Sequence, residues 1–401
     1  MAVKEQLFIH EITGFRTKDE FWNPYPWYKK MREESPVFYD ERQDTWNVFL
    51  YDHAKQVLSD YKLFPSKRDR SLIPVPLSDN KVNLIFSDPP DHRKRRGLLS
   101  KAFTPHSLED WKPRIQNIVN ELVANVAEKR SVDLVKELAV PLPVTVIADL
   151  LGVPSKDWRQ IKNWSDILFM PHDFQRIEEM QAAKARASKE FVEYLLPIVG
   201  QKRTQLQDDI ISDLILAEYE GASFTDAEVA QTAMGLLGAG NETTTTLLTN
   251  MFYSLAKDQP GAYGQLREDR SLVPQAVEET LRYRFAASLD RRIGEDTDVF
   301  GPKMKKDQLI IAWVSSANRD ENRFPDGESF DVRRKDIKHL TFGSGQHFCL
   351  GAPLARMEAV KALETFVERF SDYSIPDDFR PQDHLPPNNH NLNSLPVVVE
   401  E

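Results

Sequence analysis

The sequence predicts a mainly α-helical chain with small β-sheets. Three observations carry this. From residue 88 to about 270 the pattern is mostly helical. Short runs rich in β-branched and aromatic residues cluster toward the two ends. One stretch, "FTDAEVAQTAMGLLGAGNETTTTLLTNMFYSLAKD" at 224–258, reads as a single long central helix.

The elements follow in chain order. An aromatic, proline-rich opening, "FWNPYPWYKKMREESP", precedes "PVFYD" and "TWNVFLY", which alternate well enough to pair as a hairpin. Residues 61–87 read as an irregular loop with apolar content. "SDPPDHRKRRGLLSKAFTP" predicts a helix starting at Asp88, with Asp88 as cap, Pro89 in the first turn and Asp91 favoured by the positive helix end. Strand signals return near 288–314 and include "QLIIAWV". A connector rich in Pro, Asp and Arg covers 318–340, a long helix starts near Ala352, and the tail ends in an extended "LPVVVE". Length alone suggests two or three domains. No linker or composition break divides the chain, so residues 1–401 are expected to form one domain.

Composition excludes several functions. A net charge of −10 argues against nucleic-acid binding, despite the local basic run "HRKRR". The N-terminus carries charges through its apolar positions, and no run approaches the roughly 18 apolar residues of a spanning helix. One cysteine forms no internal disulfide, which fits a reducing cytoplasm.

In the central helix, Thr225 and Glu228 make a capping box. Its apolar residues surround the axis, so it is expected to be buried on most sides. "GAGNETTTT" is unusual there. Gly240 costs about 1 kcal/mol relative to alanine, and threonines bend helices by bonding back to carbonyls. Glu242 and Thr243 put an acid beside an alcohol: either a solvated kink or a proton-delivery site. In "EETLR", Glu279 and Arg282 share a helical face, as does many a surface ion pair. His92 and Arg96 also face one way, as a basic surface helix or as a grip for carboxylates.

Cys349 in "FGSGQHFCLG" is the only cysteine. It can be a buried structural thiol, a nucleophile with His347 as base, or a metal ligand. Zinc lacks a completing set of ligands. A single thiolate suffices as axial ligand of haem iron. The surroundings favour this role: Gly343, Gly345 and Gly351 permit a tight loop, and the following helix aims its N-terminus at the sulfur.

"FGSGQHFCLG" resembles the haem-binding loop of the cytochrome P450 family at every fixed position. "AGNETT" at 239–244, "ETLR" at 279–282 and "DPPDHRKRR" are similar to that family's oxygen-activating, E-x-x-R and propionate-binding segments, in family order over essentially the whole chain. The resemblance implies a triangular, mostly α cytochrome P450 fold with a long central helix over one haem b (iron protoporphyrin IX). It implies Cys349 as the iron's thiolate, Phe342 as its aromatic shield, and Ala239, Gly240, Gly343 and Gly351 against the haem. His92, Arg96, His347 and Arg292 would meet the propionates, with Arg291 as the adjacent candidate. Glu279, Arg282 and Arg334 would form the structural network behind the haem. Leu72, Val82, Leu84, Ile85, Phe169, Leu236, Ala239, Ala286 and Leu289 are the substrate candidates. They are mostly apolar, which suits a fatty acid, terpenoid or steroid.

The implied activity is monooxygenation with O2, Glu242 and Thr243 supplying protons. Electrons would come from a ferredoxin or flavodoxin with an NAD(P)H-dependent reductase, docked near Arg93–Arg96 of a monomer. A peroxide-driven enzyme or a non-catalytic haem sensor or carrier is the alternative. Three positions depart from the family pattern: Lys306-Asp307 replaces a Lys-Gly turn, Gly327 a common proline, and Asn241 follows Gly240.

Overall fold

The computed structural model describes residues 9–68, 71–72, 84–103, 105–169, 177–219, 221–285, 288–385 and 392–401. Helices dominate: α1 (Tyr25–Glu34), α2 (Tyr51–Ser59), α3 (Asp91–Ala102), α4 (Pro105–Lys129), α5 (Pro141–Leu151), α6 (Trp158–Phe169), α7 (Ile177–Thr204), α8 (Asp226–Tyr253), α9 (Val273–Tyr283) and α10 (Ala352–Arg369). No helix among the described residues is long and apolar enough to cross a membrane.

The central helix α8 packs against α5, α7, α9 and α10. Its capping box forms as expected, with the Glu228 N–H donating to Thr225 Oγ1 (3.3 Å) and the Thr225 N–H to Glu228 Oε2 (2.9 Å). Buried hydroxyls need acceptors, and the threonines find them inside the helix. Thr243 donates to the Ala239 carbonyl (2.8 Å), Thr246 to that of Glu242 (2.8 Å) and Thr249 to that of Thr245 (2.7 Å). Thr245 reaches outward and donates to the Ala139 carbonyl (3.0 Å).

Strands β1 (Val37–Asp40) and β2 (Thr45–Val48) form the expected hairpin, with Val37 opposite Val48. Strands β3 (Ser131–Asp133), β4 (Glu218–Tyr219), β5 (Ala222–Ser223), β6 (Leu289–Arg292), β7 (Leu309–Ala312), β8 (Asp372–Ser374) and β9 (Pro396–Glu400) complete three sheets, ordered β1-β2-β7-β6, β3-β9-β8 and β4-β5. The pairing of β2 with β7 is parallel.

Helix α3 starts at Asp91 rather than Asp88. The Asp88 carboxylate does not cap it; it accepts the N–H groups of Ser66 (2.8 Å) and Lys67 (2.9 Å) and so pins the preceding loop to the helix start.

Two departures from the family pattern have physical explanations. Asp307 sits at φ +69°, a left-handed turn that glycine adopts without strain, and its carboxylate accepts from Arg292 (2.9 Å). At Gly327 any Cβ would lie 2.5 Å from the Arg319 carbonyl oxygen, so only glycine fits.

Glu279 and Arg282 are both fully buried. Arg282 donates Nε and one terminal nitrogen to Glu279 (2.7 Å each) and also reaches the carbonyls of Asn318, Gly327 and Ser329. Glu279 accepts in addition from the Asp331 N–H (2.9 Å) and Arg334 Nε (3.1 Å). Breaking such a pair leaves an uncompensated buried charge. Glu279→Ala is therefore expected to cost about 3–5 kcal/mol, read as a lower urea midpoint. An unchanged midpoint would contradict this role.

Candidate active site

The cysteine loop is shaped by its glycines. Gly343 (φ +76°) and Gly345 (φ +71°) both occupy the left-handed region. A Cβ on Gly345 would lie 2.8 Å from the Ser59 Cα of α2. Gly351 has an ordinary φ, and where its Cβ would stand there is open space to 4 Å. The Cys349 N–H donates to the Phe342 carbonyl (2.8 Å), which closes the loop. The sulfur accepts N–H groups from Gly351 and Ala352 at the start of α10 and lies in the field of Arg96 and Arg356. Desolvation by the surrounding loop nevertheless pushes the thiol above its ordinary value, although part of its surface is exposed. A metal cation in place of the proton would stabilise the thiolate. Among the described residues no group of three or more His, Cys, Asp or Glu side chains could hold a metal. A lone thiolate under a ligand that brings its own donors is the arrangement that fits.

Beside the loop is a recess dominated by cationic and imidazole groups. The His92 and His347 rings stand 4.2 Å apart, and His347 Nε2 bonds Ser66 Oγ (2.8 Å). Burial and then Arg291 push His347 down to about 3. His92 is also lowered, by burial and then Arg96. Burial and then Arg68 bring Arg291 down to about 10. Buried His92 Nε2 has no hydrogen-bond partner among the described residues. Burial is the largest cause of all three shifts and the neighbouring cations come second, so a group bearing carboxylates would relieve the second part. Sequence reasoning missed Arg68, which the loop holds through Asp290, the Ser66 carbonyl and Ser71. No periodic signal marks a loop arginine.

The expectation for Arg292 is corrected. Its guanidinium bonds Asp307 and is about one-third exposed. Its neighbour Arg291 is 6% exposed and acts electrostatically on His347. Alternation along β6 sends the two side chains to opposite faces.

On α8, Thr243 is exposed, and Ala239 and Leu236 fall on the same helical face. At Gly240 a Cβ would make ordinary contact with Ile147 of α5 at 3.7 Å, so helix packing by itself does not demand glycine there. Glu242 points elsewhere, into a cavity of about 240 Å³ also lined by Lys136, Trp158 and Lys162. Asn241 is 1% exposed, and neither of its polar side-chain atoms has a partner among the described residues.

The substrate candidates are more scattered. Leu84 and Leu236 pack against the largest core cluster, Leu289 against the cluster containing Trp46, and Leu72 against the one containing Trp313. Ile85 is 52% exposed. Phe169 ends α6. Val82 and Ala286 lie outside the described residues.

A single sulfur at a helix start, a cation-rich recess beside it and a long helix carrying an acid–alcohol pair define a haem-thiolate protein. Comparison with known proteins agrees. The Cytochrome P450 family model matches residues 5–396. Cytochrome P450(MEG) of Priestia megaterium is 48% identical, over 98% of this chain and 99% of the relative. Cytochrome P450(BM-1) of the same species is 48% identical, with 99% of each covered. The crystal structure of CYP109E1 from Bacillus megaterium in complex with testosterone superposes with a TM-score of 0.86 at 39% identity, covering 96% of this chain and 99% of that one. The chain belongs to the cytochrome P450 family. It is a cytochrome P450 monooxygenase that uses protohaem IX.

If the recess receives the propionates, Arg291→Gln is expected to speed haem transfer to an apoglobin acceptor by about 10- to 100-fold. Arg292→Gln is expected to leave it near wild type. The reverse order would restore Arg292 to the role.

Proposed function

We propose that the enzyme oxygenates a lipophilic substrate of fatty-acid, terpenoid or steroid type, with electrons delivered by a separate ferredoxin or flavodoxin and its NAD(P)H-dependent reductase. One observation carries the reading: the face of α8 that bears Thr243 continues through Ala239 and Leu236, apolar apart from one hydroxyl. A structural relative crystallised with testosterone supports the steroid end of this range.

Haem, when bound, supplies the dioxygen-splitting redox chemistry. Cys349 would hold it through sulfur, and His92, Arg96, Arg291 and His347 would hold its carboxylates. Thr243 Oγ1 now donates to the Ala239 carbonyl. Rotation about χ1 would free that proton for the reaction side, and the oxygen lone pairs can accept one in turn. Glu242, whose carboxylate borders the cavity beside Lys136 and Lys162, can take up a proton there and, on rotating toward Thr243, donate it to the Thr243 hydroxyl oxygen as that hydroxyl gives up its own proton.

This acid–alcohol pair also favours electron-driven turnover over the peroxide-driven alternative, which has no need of proton delivery. A haem sensor or carrier would leave the pair without a role. The basic end of α3 near Arg96 offers an acidic partner an electrostatic landing site. A lone cysteine and the absence of any spanning helix among the described residues suit a monomer working in the cytoplasm.

Testosterone and palmitate, titrated separately, are expected to shift the haem from low to high spin in at least one case. No shift with either would remove the lipophilic assignment. In turnover, Thr243→Ala is expected to keep consuming NAD(P)H while product per NAD(P)H falls sharply. Glu242→Gln is expected to slow product formation by about 100-fold. Intact coupling in Thr243→Ala would exclude that residue from proton delivery.

A further inference from the structure

Behind the cysteine loop lies a polar chain that the reaction as described leaves unused. His339 is buried, with its side chain 2% exposed. The Thr341 N–H donates to its Nδ1 (3.2 Å), so the proton of the neutral ring sits on Nε2. That nitrogen lies 3.2 Å from Glu278 Oε2, within ion-pair reach but outside hydrogen-bond geometry. Glu278 in turn receives Arg356 through two parallel bonds, Nε to Oε1 (2.6 Å) and a terminal nitrogen to Oε2 (3.0 Å). The Arg356 guanidinium carbon stands 4.6 Å from the centre of the Phe342 ring. The same guanidinium acts electrostatically on the Cys349 sulfur. His339 also packs beside Phe342, with ring centres 5.7 Å apart. Although burial pushes the other way, His339 and Arg356 hold Glu278 down at about 2, so it is an anion throughout the working pH range.

Three elements contribute: Glu278 comes from α9, His339 from the connector, and Arg356 from α10, two turns past the cysteine. The Glu278–Arg356 pair is about one-third exposed, and it ends against the Phe342 ring, from where the guanidinium reaches the sulfur only through its field. Glu278 and Arg356 thus form a charge pair of fixed orientation at one side of the sulfur. A bidentate carboxylate–guanidinium fork allows little freedom, and His339 closes off the far side of the carboxylate.

We infer that His339, Glu278 and Arg356 are positioning residues that fix the electric field at the Cys349 sulfur and thereby set the ease of haem reduction. The inference rests on Cys349 as the iron ligand. The sign of each effect follows from charge. Arg356 favours the extra electron of the reduced state, and Glu278 offsets it.

The test is a mediated redox titration of the haem-loaded protein, which needs no protein partner and so is blind to any docking role of Arg356. The carbon monoxide difference band of each variant is recorded alongside. Glu278→Gln is expected to raise the reduced-to-oxidised ratio at a fixed potential by about ten-fold, a positive shift of about 59 mV for one electron. Arg356→Gln is expected to move it the opposite way, and Arg356→Lys, which keeps the charge, to recover most of that change. His339→Ala lets the carboxylate turn away from Arg356, so it should follow Glu278→Gln with a smaller shift. His339→Gln keeps a donor and should stay near wild type.

Shifts of opposite sign in Glu278→Gln and Arg356→Gln support the relay. Shifts of one sign, or none, overturn it, because a purely structural disturbance has no reason to follow charge. If Glu278→Gln does not hold haem, the two Arg356 variants decide: a negative shift in Arg356→Gln recovered by Arg356→Lys supports the relay, and its absence overturns it. A wild-type protein without the thiolate band would instead remove Cys349 from its role.

Discussion

The structure depends on one buried guanidinium. Arg282 is fully enclosed, and a charge in that position has to be matched almost bond for bond. Its matches are Glu279 from the same helix and three carbonyls drawn from the connector between 318 and 329. The connector's own backbone bonds are short turns, such as Phe324 N–H to the Asp320 carbonyl and Ser329 N–H to that of Asp326, and Arg282 ties these turns to α9. It leads directly into the cysteine loop, where the Asn318 side chain completes the link by accepting from the Leu340 N–H (2.8 Å) and donating to Thr341 (2.9 Å). The place of the sulfur is thus set from behind, by polar interactions in a dry interior, before any cofactor contact is considered.

The active site divides into two electrostatic halves. On the recess side, burial first and then the crowding of arginines and histidines lower their proton affinities. On the sulfur side, helix-start N–H groups favour an anion that burial alone would refuse. An iron porphyrin held as proposed would bring positive charge to the sulfur and negative charge to the recess at once, and would so couple cofactor binding to folding through charge.

Much of this was legible in the sequence where chemistry is local. The loop "FGSGQHFCLG" and the capping box at Thr225 and Glu228 require particular residues at fixed spacing, and the structure places them as their spacing implies. The pairing of Glu279 with Arg282 was legible, but its complete burial was not, because burial depends on what packs over a helix face. Asp88 misled because capping preference says nothing about the two loop N–H groups that compete for the same carboxylate. Arg292 misled because adjacent residues of a strand face opposite ways, and the side that meets the recess is set by register with β7. Arg68 and the Glu278–Arg356 fork join residues far apart in the chain, and no local pattern announces them.

The position of Glu242 has a further consequence. Its cavity is bordered by Lys136, Trp158 and Lys162, on a side of α8 turned away from the apolar face that carries Leu236 and Thr243. If the apolar face receives the substrate as proposed, protons and substrate would have separate doors. A bulky guest against that face would then keep bulk water from it while the acid on the opposite side still exchanged with solvent. The enzyme need not trade a tight seal for a steady supply of acid, and a large, poorly shaped guest slows its own arrival and departure without starving the chemistry between them.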